Sequence, residues 1–144
     1  MTVEVRNLTG FDIDKIILGK IARKILKSEK KAGYAVSVVF VNKREIKTLN
    51  KIYRKKNCPT DILSFGLDIG PRIYVTERYL GELVICPEKI KENSFRFKNT
   101  FRNELKLIFI HGLLHLLGYD HEKGVRKALA MQTKQDRYYA AFLQ

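Results

Sequence analysis

Cysteine is scarce in this 144-residue chain: Cys58 and Cys86 stand apart and form no C-x-x-C pair. That excludes a disulfide-stapled scaffold and points to two reduced thiols in a cytoplasmic protein, a metal-ligand role for either being the weaker alternative. Long hydrophobic runs are lacking too. No stretch of 18 or more uninterrupted apolar residues occurs, so no membrane span is expected. The opening MTVEVRNLTGFD has no basic-then-apolar secretory pattern. There is no internal repeat, low-complexity segment or linker, and the length suits one core rather than two, giving a single domain over residues 1–144. Acidic residues are the third shortage: 15 Asp and Glu face 28 Lys and Arg, for a net charge of +13. Such a field gathers polyanions and speeds their association. Nucleic acid is the leading partner and an anionic membrane surface the weaker one, while some of the lysines serve only to solvate helices.

What is present reads as alternating strands and helices. Residues 2–7 alternate as a short strand. From about 12 to 29, Ile13, Ile16, Ile17, Ile21, Ile25 and Leu26 trace one apolar stripe of an amphipathic helix. Residues 34–41 (YAVSVVFV) form a β-branched strand. Asn42 with Glu45 three positions on has the pattern of a helix start, and Ile46, Leu49 and Tyr53 carry that helix to about Arg54. A loop at 55–60 leads to a strand at 61–67, a hairpin arm around RIYVT (72–76), and a buried strand at 82–87 closed by Pro87. Helices are expected at 88–95, at 100–118 and at 125–142, the last marked by Val125, Leu129, Ala130 and Tyr138. The fold class is α+β: a small mixed sheet of about four strands packed with helices around a central, buried, metal-bearing helix.

All three histidines fall in the eleven-residue segment 111–121, HGLLHLLGYDH. Residues four apart lie one turn above each other on a helix, so His111 and His115 aim two imidazoles at one point. Gly118 offers a left-handed exit from the helix, and His121 can swing back as a third ligand. Two histidines in the apolar stretch 105–117, where only Lys106 is otherwise charged, would be costly to bury unless something bound them. Three histidines with an open fourth position suit a catalytic zinc site, one ion per chain, though nickel, copper and cobalt also accept nitrogen ligands.

The spacing equals that of the long zinc-peptidase pattern H-E-x-x-H-x-x-G-x-x-H except at one position. Where that pattern keeps its general base, this chain has Gly112, which accepts no proton. A mid-helix glycine costs about 1 kcal/mol relative to alanine, which signals a need for space. Peptide hydrolysis by the usual route is disfavoured. A metal held here would lower the pKa of bound water and polarise a phosphodiester oxygen, with positive charge from the protein completing the clamp. The candidate clamp is the segment 50–56 (NKIYRKK), in which Arg54 can grip phosphate bidentately and Lys55 and Lys56 add charge. An equal alternative is that these residues merely complement a helix dipole. Asp120 is either a general base or, more often for an aspartate beside a metal histidine, an orienting group. Tyr119 is read as packing or base stacking, and Ser64 as a cleft-lining or ordinary strand residue.

The segment 111–121 resembles the diagnostic motif of the YbeY family, single-strand-specific metal-dependent endoribonucleases of bacterial ribosomal RNA maturation. Leu49-Asn50-x-x-Tyr53-Arg54, leading to Pro59-Thr60-Asp61-Ile62-Leu63-Ser64-Phe65, and the segment 80–86 (LGELVIC) extend the likeness in family order over about residues 35–135. The resemblance implies a fold distantly like zinc peptidases, with His111, His115 and His121 as metal ligands and Arg54 as the functional arginine. It implies RNA phosphodiester hydrolysis near the 3′ end of small-subunit ribosomal RNA, with the ribosome as partner and a part in its quality control. Gly66 stands where the family commonly has proline, and Glu82 where aspartate is usual. The rival readings are a zinc-dependent hydrolase of peptides or small substrates, and a non-catalytic RNA-binding assembly factor with a structural metal.

Overall fold

In the computed structural model, which describes residues 2–66 and 78–143, the β-branched segment YAVSVVF forms strand β2 (Tyr34–Phe40) near the middle of a four-stranded sheet. β1 (Val3–Asn7) pairs parallel to one edge of β2, and β4 (Arg78–Ile85) pairs parallel to the other. β3 (Ile62–Gly66) closes the far edge antiparallel to β4, so the order is β1-β2-β4-β3. The mixed four-stranded sheet expected from the sequence is the one present.

Side-chain alternation gives the sheet two apolar faces. Val36, Val38 and Phe40 of β2, with Leu83 and Ile85 of β4, face the main core. α1 (Lys15–Ser28) and α4 (Phe101–Leu116) cover that face. Val41, Leu63, Val84 and Cys86 form a smaller cluster on the other side, beneath Ile46 of α2 (Lys43–Arg54). α3 (Pro87–Arg96) and α5 (Val125–Phe142) complete the unit. Among the described residues no helix is long and apolar enough to cross a membrane.

Local chemistry explains the boundaries. Asp14, Asn42 and Thr100 cap α1, α2 and α4 by accepting the backbone N–H of Ile17, Glu45 and Asn103. Four expectations need correction. Ile16 of α1 is 71% exposed and Leu18 is buried in its stead, because Leu18 shares its azimuth with Ile21, Ala22 and Ile25 whereas Ile16 does not. On α5, Val125 and Leu129 are exposed, and Met131 with Tyr138 forms the buried stripe. Leu129 lies about 200° around the helix from Met131. Pro87 does not close a strand but opens α3 at its first turn, where a missing N–H costs nothing. β4 begins earlier than expected, at Arg78, and its pairing with β2 shifts register after Ala35. The expected arm at 72–76 and the end of the expected strand at residue 67 lie outside the described residues.

α4 runs through the core with Phe109, Ile110, Leu113 and Leu114 fully buried. Its one buried lysine is satisfied: Lys106 Nζ donates to the Phe142 carbonyl at 2.8 Å, placing positive charge at the C-terminal end of α5.

Candidate metal centre

The last two turns of α4 carry His111 and His115, and the loop beyond carries His121. Helical spacing brings the first two rings edge to face, with centroids 4.8 Å apart. α4 then ends in paired bonds: Gly118 N–H reaches the His115 carbonyl and Tyr119 N–H the Leu114 carbonyl, each at 3.0 Å. This is a Schellman ending, and it places Gly118 at φ +101°, a conformation glycine adopts without strain. The reversed chain brings the His121 ring to 5.3 Å from that of His111 and 5.0 Å from that of His115.

One potential ligand atom from each histidine lies within 4.8 Å of the other two. A tetrahedral ion with bonds of about 2.0–2.1 Å needs ligands somewhat closer than that, and His121, the exposed member, has the freedom to close the gap. His115 is half-buried. Burial first, then the neighbouring His111 and His121 rings, push its imidazole below its ordinary value, which favours the neutral ring. The donor set fits a divalent metal.

Gly112 has its physical reason here. A Cβ at this position would sit 2.4 Å from Ile62 Cδ1 and 3.0 Å from Leu83 Cδ2. The helix therefore lies against β3 and β4 with no side chain between. A glutamate at this position would start out into the sheet.

Arg54 closes the C-terminal end of α2, and its Nη2 lies 3.8 Å from Glu122 Oε1. That same oxygen is 3.8 Å from His121 Nε2, so the fold brings Arg54 to the histidines across one carboxylate. Tyr53, edge-on to Phe65 with centroids 5.0 Å apart, helps to fix this helix end. Lys55, left-handed at φ +58°, and Lys56 are exposed beside it. Among the described residues no hydrogen bond or ion pair joins their side chains to the histidines. Asp120 Oδ1 accepts the Glu122 backbone N–H at 2.8 Å. That bond outweighs a small burial effect and holds the Asp120 carboxyl below its ordinary value. Cys58 and Cys86 are both free thiols away from this cluster, one exposed and one buried.

Three residues that sequence reasoning missed contact the ligands or the loop that carries His121. Gln135 Oε1 lies 2.7 Å from His111 Nδ1. Glu29, just past α1, receives the hydroxyls of Tyr119 at 2.5 Å and Tyr138 at 2.6 Å, and Lys134 Nζ at 3.0 Å. Tyr119 thus packs inward and ties the start of the His121 loop to α1 and α5. Glu122 is the third. The only advance signal was a polar residue in the stripe Met131, Gln135, Tyr138.

A small α+β unit whose buried helix and the loop after it bring three imidazoles together defines a protein with a centre able to take a divalent metal. The family model described as Endoribonuclease YbeY matches residues 4–143, and the chain belongs to the YbeY family. Among relatives described as Endoribonuclease YbeY, that of Thermotoga petrophila is 44% identical over 103 residues, covering 72% of this chain and 64% of its own. That of Bdellovibrio bacteriovorus is 40% identical over 122 residues, covering 84% of this chain and 75% of its own. The match to the Thermotoga petrophila relative therefore spans less than two thirds of that protein's length. The solution structure of TM1509 from Thermotoga maritima superposes with a TM-score of 0.61 at 34% identity, over 95% of this chain and 86% of that one.

Proposed function

We propose that this protein is a divalent-metal-dependent endoribonuclease that hydrolyses single-stranded RNA, acting in the cytoplasm on ribosomal RNA near the 3′ end of the small-subunit molecule and in ribosome quality control. The observation that carries the reading is the convergence of three imidazoles, two from α4 and one from the loop after it, with Arg54 linked to them through Glu122 and Gly112 standing where a peptidase keeps its glutamate. Family membership and the endoribonuclease description of the relatives support it, as does the +13 charge.

In this reading His111, His115 and His121 would hold zinc, which when bound would supply Lewis acidity and water activation. Arg54 binds the scissile phosphate, exchanging its long contact with Glu122 for a charge-assisted pair. Lys55 and Lys56 hold the neighbouring phosphates and contribute to salt-sensitive affinity. Asp120 shapes the turn that presents His121.

Chelation tests the reading against its rivals. Stripping the metal is expected to abolish cleavage of single-stranded RNA while RNA affinity and melting temperature stay near their starting values, and added zinc restores cleavage. A large fall in melting temperature, with RNA cleavage undetectable at any metal loading, would favour a bracing metal. Hydrolysis of peptides but not RNA would overturn the reading in the other direction.

A further inference from the structure

We infer that Gln135 is a positioning residue of the metal centre: it fixes the tautomer and ring plane of His111, so that Nε2 is the atom His111 offers. The inference rests on the three-histidine metal reading and adds a residue from a different helix, 24 positions downstream.

The geometry is specific. Gln135 lies four residues after Met131 and three before Tyr138, both buried on the face of α5 that packs into the core. Residues at these spacings share a helix face, so Gln135 is carried against α4 by its neighbours' packing. Its Oε1 meets His111 Nδ1 at 2.7 Å. An amide oxygen only accepts, so Nδ1 must carry the proton, and the lone pair of a neutral imidazole is then on Nε2. The opposite amide orientation would place a donor on Nδ1 and move the ring proton to Nε2, blocking a metal there. Fixing the ligand's second nitrogen in this way also raises its basicity and removes ring rotation from the cost of binding. Among the described residues no side-chain hydrogen bond reaches the His121 ring, whose Nε2 lies 3.8 Å from Glu122 Oε1.

A side chain that only filled space here would be replaceable by leucine. Gln135→Leu keeps similar bulk and leaves the Met131 and Tyr138 anchors intact, whereas Gln135→Glu keeps an acceptor for the Nδ1 proton. Zinc affinity of each protein is measured by competition with a chromophoric chelator at fixed, mildly alkaline pH. Alongside it, long-range proton–nitrogen correlation spectra of the metal-free proteins read the tautomer of His111. The wild type is expected to bind one zinc with His111 in the Nδ1–H form. Gln135→Leu is expected to weaken zinc binding about 10- to 100-fold and to move His111 toward the Nε2–H form. Gln135→Glu is expected to bind at least as tightly as the wild type.

If the wild type binds zinc and Gln135→Leu binds it equally well with an unchanged tautomer, the positioning role is wrong while the metal reading stands. If the wild type binds no divalent metal, both fall. Should Gln135→Leu fail to fold, the Gln135→Glu protein and the wild-type tautomer decide: an Nε2–H ring in the wild type, or a Gln135→Glu protein that binds zinc at least tenfold more weakly, overturns the inference.

Discussion

His111 and His121 serve one centre but are held by opposite kinds of structure. His111 is borne on a buried helix, pressed against β3 and β4 at Gly112 and hydrogen-bonded through Gln135. His121 is exposed on a loop. That loop is tethered at its start by Tyr119 to Glu29 and shaped by the Asp120 turn. Helical spacing alone places the first pair, and tertiary contacts place the third. The helix side supplies rigidity. The loop side supplies adjustment and, through Glu122, the approach to Arg54.

The contrast can be broken from the helix side first, where the largest effect is expected. Gly112→Glu restores the peptidase signature and drives a charged side chain into Ile62 and Leu83. Overpacking costs about 1–3 kcal/mol and the burial of part of a carboxylate adds to it. Denaturant unfolding should show a loss of about 3 kcal/mol, with no gain of peptide hydrolysis. A stable variant that cleaves peptides would mean that the space at Gly112 is not what directs the chemistry.

On the loop side, Arg54→Glu should leave zinc content and melting temperature near wild type and lower single-stranded RNA cleavage about 100-fold, the scale of losing one charge-stabilising group. Unchanged turnover would remove Arg54 from the mechanism.

The tether at Glu29 gives the smallest effect and a pH signature. Burial pushes the Glu29 carboxyl up, but hydrogen bonds from Tyr119, Tyr138 and Lys134 outweigh it and hold the group below its ordinary value. A depressed carboxylate contributes stability that is fully present above its unfolded pKa and is lost as pH falls through the folded one. Glu29→Gln should therefore cost about 1.5–2 kcal/mol near neutrality, the worth of hydrogen bonds to a charged group, and less in acid. An equal deficit at neutral and acidic pH would show that the charge on Glu29 is not what stabilises the tether.

How much was legible in advance follows the same division. The cap at Asn42, the strand 34–40, the histidine helix and the exit at Gly118 all rest on neighbours within a few residues, and the structure has each of them. Periodicity failed where two azimuths of one helix both carry apolar residues: Ile16 against Leu18, and Leu129 against Met131. Which azimuth turns inward depends on the packing partner. Gln135 and Glu29 were invisible for a stronger reason. Their partners lie 24 and 90 residues away in the chain, and no local rule couples such positions.

The most direct test of the account is a titration of metal-free protein with zinc, following cleavage of a single-stranded RNA against metal bound. Activity is expected to rise in proportion to occupancy and to saturate at one ion per chain, with a single-histidine variant, His115→Ala, flat throughout. Cleavage that persists without metal, or that appears equally in the His115→Ala protein, would contradict it.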